Sequence, residues 1–251
     1  MVVALTRPGW PDGNLILSVV PPEERRRLLP HLESVELRSR EVLFAAGSRL
    51  QEVHFPLDCV LATYGASRDG GTTQYAFVGS EGFIGLSALF GDTRAVSTAV
   101  VVVSGRCYRL PVAPIAESFQ RSETLRRVVL RCASSRVLQT AQTSLCNAHH
   151  SVEQRLSRWL LQTLDRVAAR DLRITHELIA TLLGVRRERH RFAAHRLQAR
   201  AAVSWSRGHI TVLDRRLLET LSCECYALLR NDTELLVRDI GGLFSNGSHA
   251  K

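Results

Sequence analysis

From Leu125 to Cys146 the chain runs for more than twenty residues without a glycine or a proline. Leu125, Val128, Val129, Cys132, Val137, Leu138, Leu145 and Cys146 recur along it at helical intervals. A helix of this length spans roughly 35 Å, more than a small domain needs for itself. Such a helix usually lies along a partner, so a two-helix seam between copies of the chain is expected, with Leu125, Val128, Cys132 and Leu138 on it, the alternative being a helix that lies on its own domain. The expectation makes residues 121–148 a dimerisation helix, with one domain on its N-terminal side and another on its C-terminal side.

The N-terminal side has the period of strands. Val42–Phe44, Val53–Phe55, Val60–Tyr64, Thr73–Val78, Thr98–Val103 and Cys107–Leu110 are short β-type runs separated by turn signals such as Arg68-Asp69-Gly70-Gly71 and Gly91-Asp92. Many short strands without alternating helices predict a sandwich or roll over residues 15–120. Residues 1–14 read as a flexible N-terminus.

The C-terminal side is helical again. Ser151-Val152-Glu153-Gln154 has the form of a capping box and opens a helix bearing Leu156, Trp159, Leu160 and Leu164. Thr175 is placed to cap a short helix that ends at Gly184, and a second helix starts at once. Ala202–Ser206 and His209–Leu213 then form a hairpin around Arg207-Gly208. Two helices joined by a glycine turn and followed by a hairpin make a winged helix-turn-helix over residues 149–230. The glycine-, serine- and asparagine-rich end predicts a disordered tail over 231–251. The fold class is α+β.

Charge selects among functions for this arrangement. The chain carries a net charge of +9, and residues 173–216 alone hold ten arginines against three acids. The concentration lies in LLGVRRERHRFAAHRL, residues 182–197. On a helical wheel Ala193, Leu197 and His190 share the direction of Arg186 and must face the domain. Arg187, Glu188, Arg191 and His195 occupy the opposite sector, with Arg189, Phe192 and Arg196 on a flank. A solvated helix would need counter-charges at i±4, and this segment offers only Glu188. An arginine near the start of such a helix can grip guanine, and a glutamate can accept from cytosine. Arg187 and Glu188 therefore suit base reading, while Arg186, Arg189 and Arg196 suit phosphates.

The order of roll, long helix and winged helix resembles the Crp/Fnr superfamily of bacterial transcription regulators. The resemblance rests on HHSVEQRLSRWLL (149–161), LRITHELIATLLGVRRE (172–188), GHITVLDR (208–215) and CECY (223–226), with EVLFAAGSRLQEVHFPLDCVLA and VGSEGFIGLSALFGDTR in the first domain. It implies a cyclic-nucleotide-binding-like sensor roll and a homodimer on a palindromic operator in double-stranded DNA, with RNA polymerase as a further candidate partner. Thr175, Arg186, Arg187, Glu188, Arg189, Arg191, His195 and Arg207 become the expected DNA-binding set. An effector pocket would involve Gly85, Leu86, Arg94 and Ala95. The chain departs from the family where Leu86 replaces the ribose-binding glutamate and Ala95 the serine after the phosphate-binding arginine, so cyclic AMP in the usual mode is not expected and the effector is unknown. It departs again at Phe192, a position of a base-contacting arginine, at His190, normally a buried valine, and at Ala201, normally glycine or asparagine. These last changes motivate an alternative, a β-roll ligand-binding or scaffold protein with a degenerate DNA-binding domain.

Other chemistry finds little support. The six cysteines make no CxxC pair, which suggests reduced, buried thiols in a cytoplasmic protein. Cys146, His149 and His150 read as helix-end polarity, and Cys223 and Cys225 as structural residues whose thiols diverge on a helix, so no metal is expected. Nothing selects His54 or Cys59 as haem ligands, no cofactor is implied, no nucleophile-elbow motif points to an enzyme, and no segment reads as a signal peptide or a membrane span.

Overall fold

The computed structural model describes residues 13–92, 94–167, 171–206 and 208–246. At the N-terminal end Asn14 caps α1 (Leu15–Ser18), its Oδ1 accepting from the Ile16 amide at 3.0 Å. The Asn14 amide donates in turn to the carbonyls of Pro56 and Gly82, both at 2.9 Å, tying this end to the roll. In α2 (Pro22–Leu28) proline takes the first turn with Glu23 and Glu24 beside it, as the positive helix end favours.

Strands β1 (Glu33–Leu37), β2 (Val42–Phe44), β3 (Glu52–Pro56), β4 (Val60–Ala66), β5 (Thr72–Val78), β6 (Thr98–Val103) and β7 (Gly105–Pro111) form two antiparallel sheets. Their orders are β1-β7-β3 and β2-β6-β4-β5. Leu37, Cys59, Leu61, Ala76, Val78, Ala99, Val101 and Cys107 fill the space inside the roll. The alternate residues Val60, Ala62, Phe77, Val100 and Val102 are equally buried, but beneath the C-terminal domain. That accounts for the unbroken apolar run of β6: a strand covered on both faces has no polar side to alternate with.

Helix α3 (Val112–Arg121) leads to α4 (Glu123–His149), which Ser122 caps through the Leu125 amide at 3.2 Å. The 27 residues of α4 reach about 40 Å. Then come α5 (Val152–Leu164) behind the predicted capping box, β8 (Asp171–Arg173), α6 (His176–Leu183), α7 (Arg187–Ala199), β9 (Val203–Ser206), β10 (His209–Val212), α8 (Arg215–Leu221) and α9 (Cys225–Asn246). The wing is a three-stranded sheet in the order β8-β10-β9, so β8, too short to leave a period, joins the expected hairpin.

The C-terminal end and the buried face of α4 depart from expectation. Residues 231–246 are not a disordered tail; they continue α9, which lies along α4, while 247–251 fall outside the described residues. Leu236 and Ile240 of α9 share one core with Leu125, Val128, Val129 and Cys132, and Arg131 pairs with Asp239 at 2.9 Å. The glycine pair Gly241-Gly242 and the polar end obscured this apolar spacing. As a result Leu125, Val128 and Cys132 are sealed inside their own chain and cannot form a seam with another copy. Leu138 is exposed, as are Leu130, Val137 and Leu145, with Val137 71% accessible.

The winged domain is docked on the roll. Trp159 Nε1 donates to Gln74 Oε1 at 3.0 Å in the buried contact, and its ring lies 5.5 Å from that of Phe77. Arg166 reaches Glu81 at 2.7 Å, and Thr72 Oγ1 donates to the Thr181 carbonyl at 2.6 Å. Among the described residues no helix is long and apolar enough to cross a membrane.

Candidate nucleic-acid interface

Thr175 caps α6 by accepting from the Leu178 amide at 3.3 Å, and Gly184 makes the turn with φ 64° and ψ 41°. Helix α7 then buries His190, Ala193, Ala194 and Leu197, so its remaining surface is presented outward. Arg186, Glu188, Arg189, Arg191 and His195 are exposed, and their side chains make no hydrogen bond or ion pair among the described residues. Arg207 lies outside the described residues.

The other arginines of the segment do find counter-charges, and from outside it. Glu153, at the start of α5, takes Arg196 at 3.0 Å and Arg200 at 3.6 Å. Glu177 of α6 holds Arg187 and also accepts from Arg40 of the roll at 3.3 Å. A search for partners at i±4 misses both acids, because they come from neighbouring helices. Arg196, assigned by sequence to phosphates, is exposed and paired with Glu153 within its domain.

His190 is completely buried, and sequence offered no partner for it. The partner is His176, Nδ1 to Nδ1 at 3.3 Å, and Trp205 completes the group. Trp205 stacks on His176 at 4.0 Å between centroids and meets His190 edge-on at 5.3 Å. Burial, aided by the charges of His176 and Arg191, lowers the His190 pKa to about 4, so the ring is neutral near pH 7. Its Nε2 has no hydrogen-bond partner among the described residues. Ala201 adopts φ 56°, the left-handed conformation that glycine or asparagine would take more easily.

In the roll, Gly85 with φ 102° starts the short turn Leu86–Phe90, and a Cβ there would lie 2.9 Å from Val53 Cγ1. Leu86 leans on the N-terminal core, and Ala95 is buried with Leu50 and Ala88. Arg94 is exposed and donates to the Gly47 carbonyl at 3.2 Å. The four residues therefore present small apolar groups and one outward-facing cation.

The cysteines differ from expectation. Cys223 precedes α9 in a turn rather than sharing a helix with Cys225, so the two thiols converge. Both meet Cys146 and His150 from the end of α4, whereas His149 points away into solvent.

The same two domains are found when the chain is compared with known proteins. A model of the cyclic nucleotide-binding domain matches residues 34–122, and a model of the Crp-like helix-turn-helix domain matches residues 154–221. No curated protein matches the sequence. Among solved structures, a putative transcriptional regulator of the Crp/Fnr family from Eubacterium rectale is 20% identical, with a TM-score of 0.66 over 82% of this chain and 96% of that one. FixK2 from Bradyrhizobium japonicum is 15% identical, with a TM-score of 0.65 over 76% and 98%. The c-di-GMP responsive global regulator CLP of Xanthomonas campestris is 17% identical, with a TM-score of 0.56 over 77% and 100%. At these identities the structural likeness is one of fold. With a cyclic nucleotide-binding domain followed by a Crp-like helix-turn-helix, the chain belongs to the Crp/Fnr superfamily of bacterial transcription regulators.

Proposed function

We propose that the protein is a cytoplasmic, homodimeric, sequence-specific DNA-binding transcription regulator. The observation that carries this reading is the outer face of α7, where Arg186, Arg189, Arg191 and His195 stand exposed without counter-charges among the described residues. Concentrated cations on a helix that fits a major groove are suited to phosphates and base edges. Arg187 and Glu188, at the start of the helix, read bases. Glu177 acts on Arg187 as a bracket, holding the guanidinium at the helix end. Arg186 and Arg189 take phosphates, and the Thr175 hydroxyl remains free to donate to one.

Two copies would meet along α4 through Leu130, Val137, Leu138 and Leu145 instead of the buried face expected from sequence. Leu130 and Val137 recur at seven residues, as do Leu138 and Leu145, and Ser134, Ala141 and Ala148 keep the same interval between and beyond them, with small residues that let two helices approach closely. A pair of winged domains so joined would address two half-sites of a palindrome. The roll is the signal-receiving part. Leu86 offers no acceptor for a ribose and Arg94 is exposed on the Gly47 carbonyl, and both argue against a cyclic nucleotide bound in the usual mode. The degenerate-domain reading loses ground, because His190 has its ring partners and Ala201 completes its turn.

Titration with duplex DNA at several salt concentrations tests the reading. Specific binding should weaken with salt, by a log–log slope of about 0.9 per phosphate contact. Arg187→Ala should lose discrimination at one base pair, about 1–3 kcal/mol, whereas Arg186→Ala should weaken all duplexes alike. Binding blind to sequence, or equal effects of the two substitutions, would overturn it.

A further inference from the structure

Four side chains that no part of the DNA-binding reading uses meet where the end of α4 touches the junction of α8 and α9. Cys146 and His150 come from one segment and Cys223 and Cys225 from another, more than seventy residues away. Their ligand atoms all lie within 4.8 Å of one another. We propose that Cys146, His150, Cys223 and Cys225 bind a single zinc ion, which clips the long helix to the winged domain.

The spacing suits a tetrahedron, with two of its six edges matched and none longer than 4.8 Å. With bonds of about 2.3 Å to sulfur and about 2.0–2.1 Å to nitrogen, its edges are about 3.8 Å between sulfurs and about 3.5 Å between sulfur and nitrogen. Cys146 Sγ and Cys223 Sγ are 3.6 Å apart, and Cys225 Sγ lies 3.4 Å from His150 Nδ1. A set this tight encloses one ion and leaves no room for a multi-iron cluster. Three thiolates and one imidazole are the donors of a closed structural zinc site.

The surroundings match as well. His150 presents Nδ1 to the sulfurs and turns Nε2 to the Glu224 carboxylate at 3.2 Å. A carboxylate behind a ligating histidine fixes its tautomer and strengthens it as a ligand. Gln142 Nε2 donates to Cys225 Sγ at 3.0 Å. Arg158 supplies the charge balance: it is 2% exposed, pairs with no carboxylate among the described residues, and its Nε lacks a partner. The guanidinium lies close enough to Cys146 and Cys223 for its charge to act on both sulfurs. Zinc with three thiolates carries one net negative charge, which a buried guanidinium neutralises; binding releases three thiol protons to solvent.

The test uses the untagged full chain, purified under reductant with zinc present and then analysed for metal. About one zinc per chain is expected. Replacement by Co2+ should give the thiolate charge-transfer band and the visible bands of tetrahedral cobalt. Cys225→Ser should lose the ion. Glu224→Gln, an exposed change that leaves the fold alone, should weaken zinc about 10–100-fold in competition with a chelator. Any of four results would overturn the site: a metal content near zero, binding unchanged in Cys225→Ser, iron with acid-labile sulfide, or a Cys146–Cys223 disulfide in metal-free protein.

Discussion

His190→Val puts an apolar side chain into a pocket now occupied by a neutral imidazole, and its consequence is a matter of pH. The His190 pKa is about 4 in the folded chain against 6.5 in the unfolded one. Between those values the unfolded chain binds the proton and the folded chain does not, so stability falls as pH drops through the window. At 1.36 kcal/mol per unit of pKa difference, the loss approaches about 3 kcal/mol well below pH 4, and is about 2 kcal/mol at pH 5. His54, lowered to about 4 by burial and then by Arg109, has the same sign and a similar size. Wild-type protein should therefore lose about 4 kcal/mol from these two rings between about pH 8 and pH 5, and His190→Val about half of that. Near pH 8 the variant should cost little, because removing a buried unpaired nitrogen offsets much of the lost His176 hydrogen bond and Trp205 contact. Urea unfolding followed by tryptophan fluorescence at the two pH values measures the difference, with the carboxylates common to both proteins cancelling. Equal losses in the two proteins, within about 0.5 kcal/mol, would refute the claim that this ring is held neutral by burial.

Ala201→Gly should raise the thermal midpoint, with a net gain of about 0.5–1 kcal/mol after the greater freedom of unfolded glycine is subtracted from the relief of φ 56°. Val137→Asp places a charge at the centre of the exposed row on α4; sedimentation should show monomer, and specific DNA affinity should fall with it. An unchanged dimer would move the interface elsewhere on the chain. Glu177→Gln removes the bracket on Arg187 without touching the helix, so base discrimination should weaken less than in Arg187→Ala, with the salt slope kept.

The helix-turn-helix was legible in the sequence because its signals are local: a threonine cap, a glycine turn and an apolar stripe of period 3.6. The roll was legible for a similar reason, its short strands being bounded by turn residues. The partners of the charged groups were not. Glu153 and Glu177 reach α7 from other helices, and His176 lies fourteen residues before the histidine it meets. The face of α4 was misassigned because Leu125, Val128 and Cys132 look the same whether a second copy or α9 covers them. Only the fold of residues 225–246 decides between these. The convergence of four metal-binding side chains was hidden likewise, since neither half carries the spacing of a metal motif.

Gly184 is usually accounted for by its turn, and asparagine would serve such a turn almost as well. Here a Cβ at Gly184 would stand 2.1 Å from the Thr72 carbonyl oxygen, at the start of β5. Backbone thus rests on backbone, with no side chain between to yield. A shift of the β4–β5 hairpin cannot be absorbed at that point; it must push on the hinge of α7 or open a gap beneath it. The roll and the arginine-bearing helix are therefore mechanically in series, separated by the thickness of one peptide.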